Sequence, residues 1–173
     1  ILDVKGLKVG QVEDEKALTG CTVVICENGA TCGADVRGSA PGTRETDLLD
    51  PINSVQKVHA VVLSGGSAFG LESTCGVSKY LEEKNIGFDV GVCKVPIVTG
   101  AVLFDLAVGD YKVRPDKEMG YKACLNASKT ELKQGNYGAG CGATVGKVKG
   151  LDYVTKGGIG SYSIKLDNGI VVS

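Results

Sequence analysis

The chain has no tryptophan, one methionine and one histidine, and six tyrosines with three phenylalanines supply the rest of its aromatic rings. Large aromatic ligand pockets are therefore not expected. A Ser-His-Asp triad within the chain has a single candidate base, His59, and that residue lies inside the apolar run VHAVVL. A histidine so placed reads more readily as a core residue than as a base, so a self-contained triad is not expected. Excess charge of either sign is also missing: the net charge is −1 and basic and acidic residues are interleaved. With no Lys/Arg stripe or basic tail, nucleic acid is not an expected partner.

Long hydrophobic runs are lacking too. The longest, VPIVTGAVLF (residues 95–104), is interrupted by a glycine and falls well short of the ~20 residues of a membrane span. The seven cysteines include no C-x-x-C pair, and an odd, scattered set argues against a disulfide framework or a zinc site. Reduced, mostly buried thiols of a cytoplasmic protein are expected instead. No leader pattern is visible, and the chain opens on Ile1 without methionine. Asn126-Ala127-Ser128 has the form of a glycosylation sequon but falls in an expected helix of a cytoplasmic chain.

What is abundant is glycine, with 26 residues, roughly twice the usual share. That favours tight turns and closely approaching backbones. At 173 residues the default is one domain, large enough to form its own core.

A first strand is expected over Leu7 to Val12. Cys21 to Cys26 and Thr31 to Val36 are expected to pair as a hairpin through Asn28-Gly29. Val58 to Leu63 reads as a strand buried on both faces. Ser64 to Ser67 then turns the chain into a helix over Ala68 to Lys84, with Ala68, Leu71 and Cys75 on its apolar stripe and Gly87 just past its end. Val95 to Leu106 reads as a further strand region. A second helix opens at Pro115 and Asp116, with Pro115 at the first helical position and a stripe of Met119, Ala123 and Ala127. A β-like, glycine-rich stretch follows from Gly135, and Leu166 to Gly169 reads as a hairpin turn. The last residues, Gly169 to Ser173, read as the opening of a strand, so the chain is expected to be an N-terminal piece of a longer polypeptide.

Three segments carry possible chemistry. The strand-turn-helix around Ser64, Gly65, Gly66 and Ser67 is either a tight connection or a set of backbone N–H groups facing an anion or oxyanion. The segment GAGCGATVGK (residues 138–147) fails as a phosphate loop, because Cys141 stands where glycine is needed and Val148 where Ser or Thr is needed. It also fails as a dinucleotide site, because no helix pattern follows. Lys147, among small and apolar residues, is a candidate for proton transfer or charge stabilisation if partly desolvated, and otherwise an exposed strand lysine. In the loop RGSAPGTRETDLLDP (residues 37–51), Arg44, Glu45 and Asp47 are candidates for binding substrate, but the expectation is that they pair with one another and pin the loop.

These segments, with VPIVTGAVLFDL, RPDKEMGYKAC and GGIGS, together resemble the L-aminopeptidase/D-esterase family, which includes β-aminopeptidases and the nylon-oligomer hydrolase. The resemblance runs in order from about Leu7 to Ser173. It implies an α+β fold, the αββα four-layer sandwich of N-terminal-nucleophile-like hydrolases, of which residues 1–173 would be a single-domain, α-chain portion. It implies a precursor that cleaves itself, a nucleophilic Ser or Thr at the start of a β chain beyond Ser173, and αβ units that assemble into oligomers. The expected substrate is a small peptide or peptide-like amide, with no metal or organic cofactor. Lys147 matches a lysine near the nucleophile. Ser64 to Ser67 would line the cleft. Phe104 falls where several members carry an oxyanion-site tyrosine, and Val102 where aminopeptidase members carry an acid for the substrate amine. Phenylalanine lacks the hydroxyl and valine cannot pair with an ammonium group. The rival expectation is therefore a catalytically silent member serving as a binding or structural subunit.

Overall fold

The computed structural model describes all of residues 1–173. Its centre is a five-stranded mixed sheet, built from β1 (Leu7–Asp14), β2 (Thr19–Ala30), β3 (Thr43–Arg44), β4 (Val58–Ser64) and β7 (Val98–Val102) in the order β1-β2-β4-β7-β3. β1 and β2 form a hairpin from Leu7↔Cys26 to Asp14↔Thr19. Its turn is held by the Asp14 carboxylate, which accepts from the N–H groups of Lys16 and Ala17 at 3.0 and 2.8 Å. β4 pairs antiparallel with β2 and parallel with β7. The parallel step requires a crossover, made by α1 (Ser73–Glu83) and a small hairpin of β5 (Phe88–Asp89) and β6 (Lys94–Val95).

Helices α1 and α2 (Lys117–Leu125) cover one face of the sheet. There Cys21, Val23 and Ile25 of β2, Ala60 and Val62 of β4, and Val98 of β7 pack on Val77, Leu81, Ala123 and Cys124. Fully burying a side chain such as Leu81 stabilises by about 1.5–3 kcal/mol. The abundance of glycine is explained here. A Cβ on Gly10 would meet the Ala123 carbonyl, and one on Gly76 the Lys117 carbonyl. Backbones thus approach where side chains would hold them apart.

Several expectations change. No hairpin forms at Asn28-Gly29. β2 runs on to Ala30, and Gly29, with φ +70°, accommodates a register break against β4 between Ile25 and Ala30. Residues 31–36 are not a strand. The helix after Ser67 begins as a 3₁₀ segment over Ser67–Glu72, and its α-helical part buries Val77 and Leu81 while Ala68 and Cys75 face solvent. The left-handed residue closing α1 is Asn85 (φ +55°), not Gly87. Ile86 N–H donates to Leu81 and Asn85 N–H to Glu82, a Schellman closure with Ile86 packed on the core. Of residues 95–106, only Val98–Val102 joins the sheet. In α2, Pro115 precedes the cap and Asp116 is the cap itself, accepting from Met119 N–H at 2.9 Å. From Gly135 onward strands are two residues long, including β8 (Thr144–Val145), β9 (Thr155–Lys156), β10 (Ile164–Lys165) and β11 (Val171–Val172). β10 and β11 pair across the expected turn at Leu166 to Gly169.

The other face of the sheet is only partly covered. Strand alternation directs Val24, Val61, Leu63, Thr99 and Ala101 there. Val24 and Val61 are half-buried, while Leu63 and Ala101 are exposed. The 3₁₀ turn Gly138–Gly140 covers one part, with Ala139 N–H donating to the Thr22 hydroxyl at 3.1 Å. No helix is long and apolar enough to cross a membrane.

Candidate active-site wall

Two clefts open where β4 and β7 end side by side, and Ala101 and Val102 border both. The larger, about 390 Å³, continues along the loop from Cys32 to Leu49. The smaller, about 230 Å³, is walled by Leu63, Ser64, Leu103, Ala139, Ala143 and Ile159. Both are largely uncharged. The one acid–base pair at their rim, Asp35 and Arg37, is closed on itself at 2.8 Å.

The turn after β4 is a tight connection rather than an anion cradle. Gly65 N–H donates to Gly20 O at 2.9 Å, Gly66 N–H to the Asp105 carboxylate at 2.7 Å, and Ser67 N–H to Leu103 O at 3.0 Å. All three donors are thus engaged within the protein. Gly66 and Ser67 are both left-handed, with φ +80° and +55°. Gly65 is required by space, since a Cβ there would run into Asp105. The Ser64 hydroxyl is buried with no hydrogen-bond partner, and Ser67 is half-buried.

His59 starts at the opposite end of β4, roughly 16 Å from Ser64 at the usual strand rise. It is 6% exposed, and its Nδ1 accepts from Ile97 N–H at 3.2 Å. Burial, with Lys57 and Lys94 nearby, holds its pKa below the ordinary histidine value. It is the core histidine that its apolar setting suggests.

Val102 is half-buried between the clefts, its N–H donating to Gly42 O at 2.9 Å. Phe104, just beyond it, is exposed. Lys147 follows left-handed Gly146 on a surface 3₁₀ turn (Lys147–Lys149), and its ammonium donates to Thr144 O at 2.6 Å. It is exposed and lines neither cleft. Arg44 pairs with neither Glu45 nor Asp47. Its guanidinium reaches across to the Thr74 hydroxyl at 2.7 Å and Cys75 Sγ at 2.9 Å, tying the loop to α1.

Two polar residues that the sequence reading missed organise this region. Asp105 is buried, accepting from the Thr19 hydroxyl and Gly66 N–H at 2.7 Å each. Lys156 donates to Asn136 Oδ1, Gly140 O and Ala143 O at 3.0, 3.1 and 3.3 Å, fastening the wall of the smaller cleft. An acid inside VLFDL and a lysine just before a Gly-Gly pair were the available signals. All seven cysteines are unpaired, but only Cys21, Cys124 and Cys141 are buried. Burial raises the Cys21 and Cys124 thiols to about 12. Burial also raises Cys141, against the lowering effect of the Lys156 ammonium. No three His, Cys, Asp or Glu side chains converge as a metal would require.

The sheet with helices on one face defines an α+β protein. It superposes on 82% of its length, with a TM-score of 0.65 and 15% identity, on 43% of an Ochrobactrum anthropi L-aminopeptidase D-Ala-esterase/amidase described as a variant of the Ntn-hydrolase fold. The model of peptidase family S58 matches residues 1–173, and the chain belongs to that family. It is 43% identical to an uncharacterised aminopeptidase of Mycobacterium leprae, over 99% of this chain and 50% of the relative. It is 35% identical to a 6-aminohexanoate-oligomer endohydrolase of a Kocuria species, over 84% of this chain and 39% of the relative. The chain thus spans about half the length of the curated aminopeptidase it matches.

Proposed function

We propose that this chain is the α portion of a self-cleaving amide hydrolase, and that it forms one wall of the active site. The observation that carries the reading is the partly bare sheet face around Val61, Leu63 and Ala101, which leads into the two clefts beside Val102. A second sheet laid there would complete an αββα sandwich and bury that apolar surface. The β chain of the same precursor would supply that sheet, and with it a nucleophilic Ser or Thr at its newly freed N-terminus. The terminal amine would take the hydroxyl proton and pass it to the departing amine as the amide C–N bond breaks and an acyl-enzyme forms, and water would then release the carboxylic acid. Ser64 to Ser67, Val102 and Phe104 would form the cleft wall, and Lys147 would turn from Thr144 O toward the nucleophile once the β chain is seated. The chemistry needs no cofactor.

The uncharged clefts support a substrate whose reacting end carries no ammonium group. Val102 offers no counter-charge, and Asp35 is already paired with Arg37. A small peptide or oligomeric amide cleaved at an interior bond suits this wall better than a free amino terminus. We place the protein in the cytoplasm on its seven free thiols, working as an oligomer of αβ units. The test is to express the full polypeptide, measure its mass, and compare N-acetylated with free-amine peptide amides. Splitting into two chains with turnover of the acetylated substrate is expected. The rival reading, a silent subunit suggested by Val102 and Phe104, predicts binding without turnover.

A further inference from the structure

A different cleft, of about 760 Å³, lies at the other end of the sheet, where β4 begins and α1 ends. His59 forms part of its wall, with Lys84, Lys94, Asn28 and Asn85 and the ion pair Lys8–Glu27. The imidazole is more than nine-tenths buried, and its Nδ1 is occupied by Ile97 N–H. An imidazole whose Nδ1 accepts must carry its proton on Nε2 when neutral. The Nε2–H has no protein acceptor, so a donor fixed by the backbone is left without a partner at the cleft.

The charges around it have one sign. Lys8 is neutralised by Glu27 at 2.6 Å, but the ammonium groups of Lys84 and Lys94 have no carboxylate partner, and neither has Lys57 beside the imidazole. Lys84 only overhangs the Tyr80 ring, at 5.8 Å. The amides of Asn28 and Asn85 add neutral donors at the rim. Lys57 and Lys94 act on the imidazole directly, and Lys8, Glu27, Tyr80 and Lys84 are the other titratable groups lining the cleft.

We propose that this cleft binds a small doubly charged oxyanion of the phosphate class, held by His59 Nε2–H and the ammonium groups of Lys84 and Lys94. Two unpaired cations match a dianion, and a neutral, geometrically fixed N–H gives the site direction as well as charge. A side chain only 6% exposed whose free N–H opens on the cleft distinguishes it from a chance cluster of surface lysines. The site stands roughly 16 Å along β4 from Ser64, so it does not depend on the hydrolase reading.

The experiment is an imidazole ¹H–¹⁵N NMR titration of the full polypeptide with inorganic phosphate at constant ionic strength, with the signal assigned by its loss in His59→Asn. Before addition, Nε2 should be the protonated nitrogen. Phosphate should shift it saturably, and the Lys84→Ala/Lys94→Ala double variant should bind at least about tenfold more weakly, a difference of one decade in Kd. Sulfate should act as phosphate does. No shift, an equal shift from chloride, or undiminished affinity in the double variant would each overturn the proposal.

Discussion

Asp105 and Thr19, 86 residues apart in sequence, meet in the interior with the carboxylate accepting from the hydroxyl at 2.7 Å. The second carboxylate oxygen holds Gly66 N–H, so one side chain joins the end of β7, the start of β2 and the turn after β4. The knot lies close in sequence to Ser64 and Leu103, which wall the smaller cleft.

Replacing Asp105 by alanine leaves a buried hydroxyl and a buried N–H without partners. Leaving such groups unsatisfied costs about 1–3 kcal/mol each. Denaturant unfolding should show Asp105→Ala destabilised by roughly 2–6 kcal/mol on that scale. Asp105→Asn, which keeps one acceptor oxygen, should lose less. Equal losses would mean that the carboxylate's two bonds are not what holds the turn.

Close backbone approach predicts a contrast between glycines. Gly76→Ala sets a methyl against the Lys117 carbonyl and should lower stability by about 1–3 kcal/mol, the usual cost of overpacking. Gly33→Ala, with open space at its Cβ, should change stability by less than about 0.5 kcal/mol. Thermal unfolding of the pair checks this, and a tolerated alanine at Gly76 would mean that α1 and α2 pack less closely.

The buried thiols give a pH signature. Cys21 and Cys124 hold their protons to about 12 in the fold, whereas the unfolded chain releases them near the ordinary thiol value. The unfolded state then binds fewer protons, so their contribution is intact below the ordinary value and falls as pH rises from there toward 12. The slope is on the order of 1 kcal/mol per pH unit for each thiol. Unfolding midpoints in mildly alkaline buffer should fall less steeply for Cys124→Ala than for the parent. Thiol reagents should reach exposed Cys75 and Cys93 in the native state and the buried thiols only on unfolding.

His59 acts in the opposite pH range. Its depressed pKa means that the unfolded chain takes up a proton first as pH falls. Stability should therefore decline below the ordinary histidine pKa of about 6.5, and His59→Gln should flatten that decline. An unchanged profile would show that the imidazole is not held neutral by its burial.

Much of this fold is legible along the chain because burial leaves a pattern. The apolar run at Val58 marks the central strand, and the Pro115-Asp116 opening with the Met119, Ala123 and Ala127 stripe marks the second helix. Asn28-Gly29 misleads, since a glycine with positive φ serves a bulge as well as a turn, and only the pairing of β2 with β4 decides between them. Asn85 in place of Gly87 is a similar case: the helix ends close to the expected Lys84, but an asparagine two residues before the glycine takes the left-handed position. The candidate site is less legible. Asp105 and Lys156 act through partners far away in sequence, which no local spacing announces. Arg44 leaves its acidic neighbours for Thr74 because it sits in edge strand β3, beside the 3₁₀ segment that leads into α1.

The mass of the full polypeptide, before and after maturation, tests the central claim most directly, when read beside turnover of an N-acetylated peptide amide. The account predicts two chains, with the second beginning at a Ser or Thr and activity arising only with the split. A single intact polypeptide with full activity would contradict it.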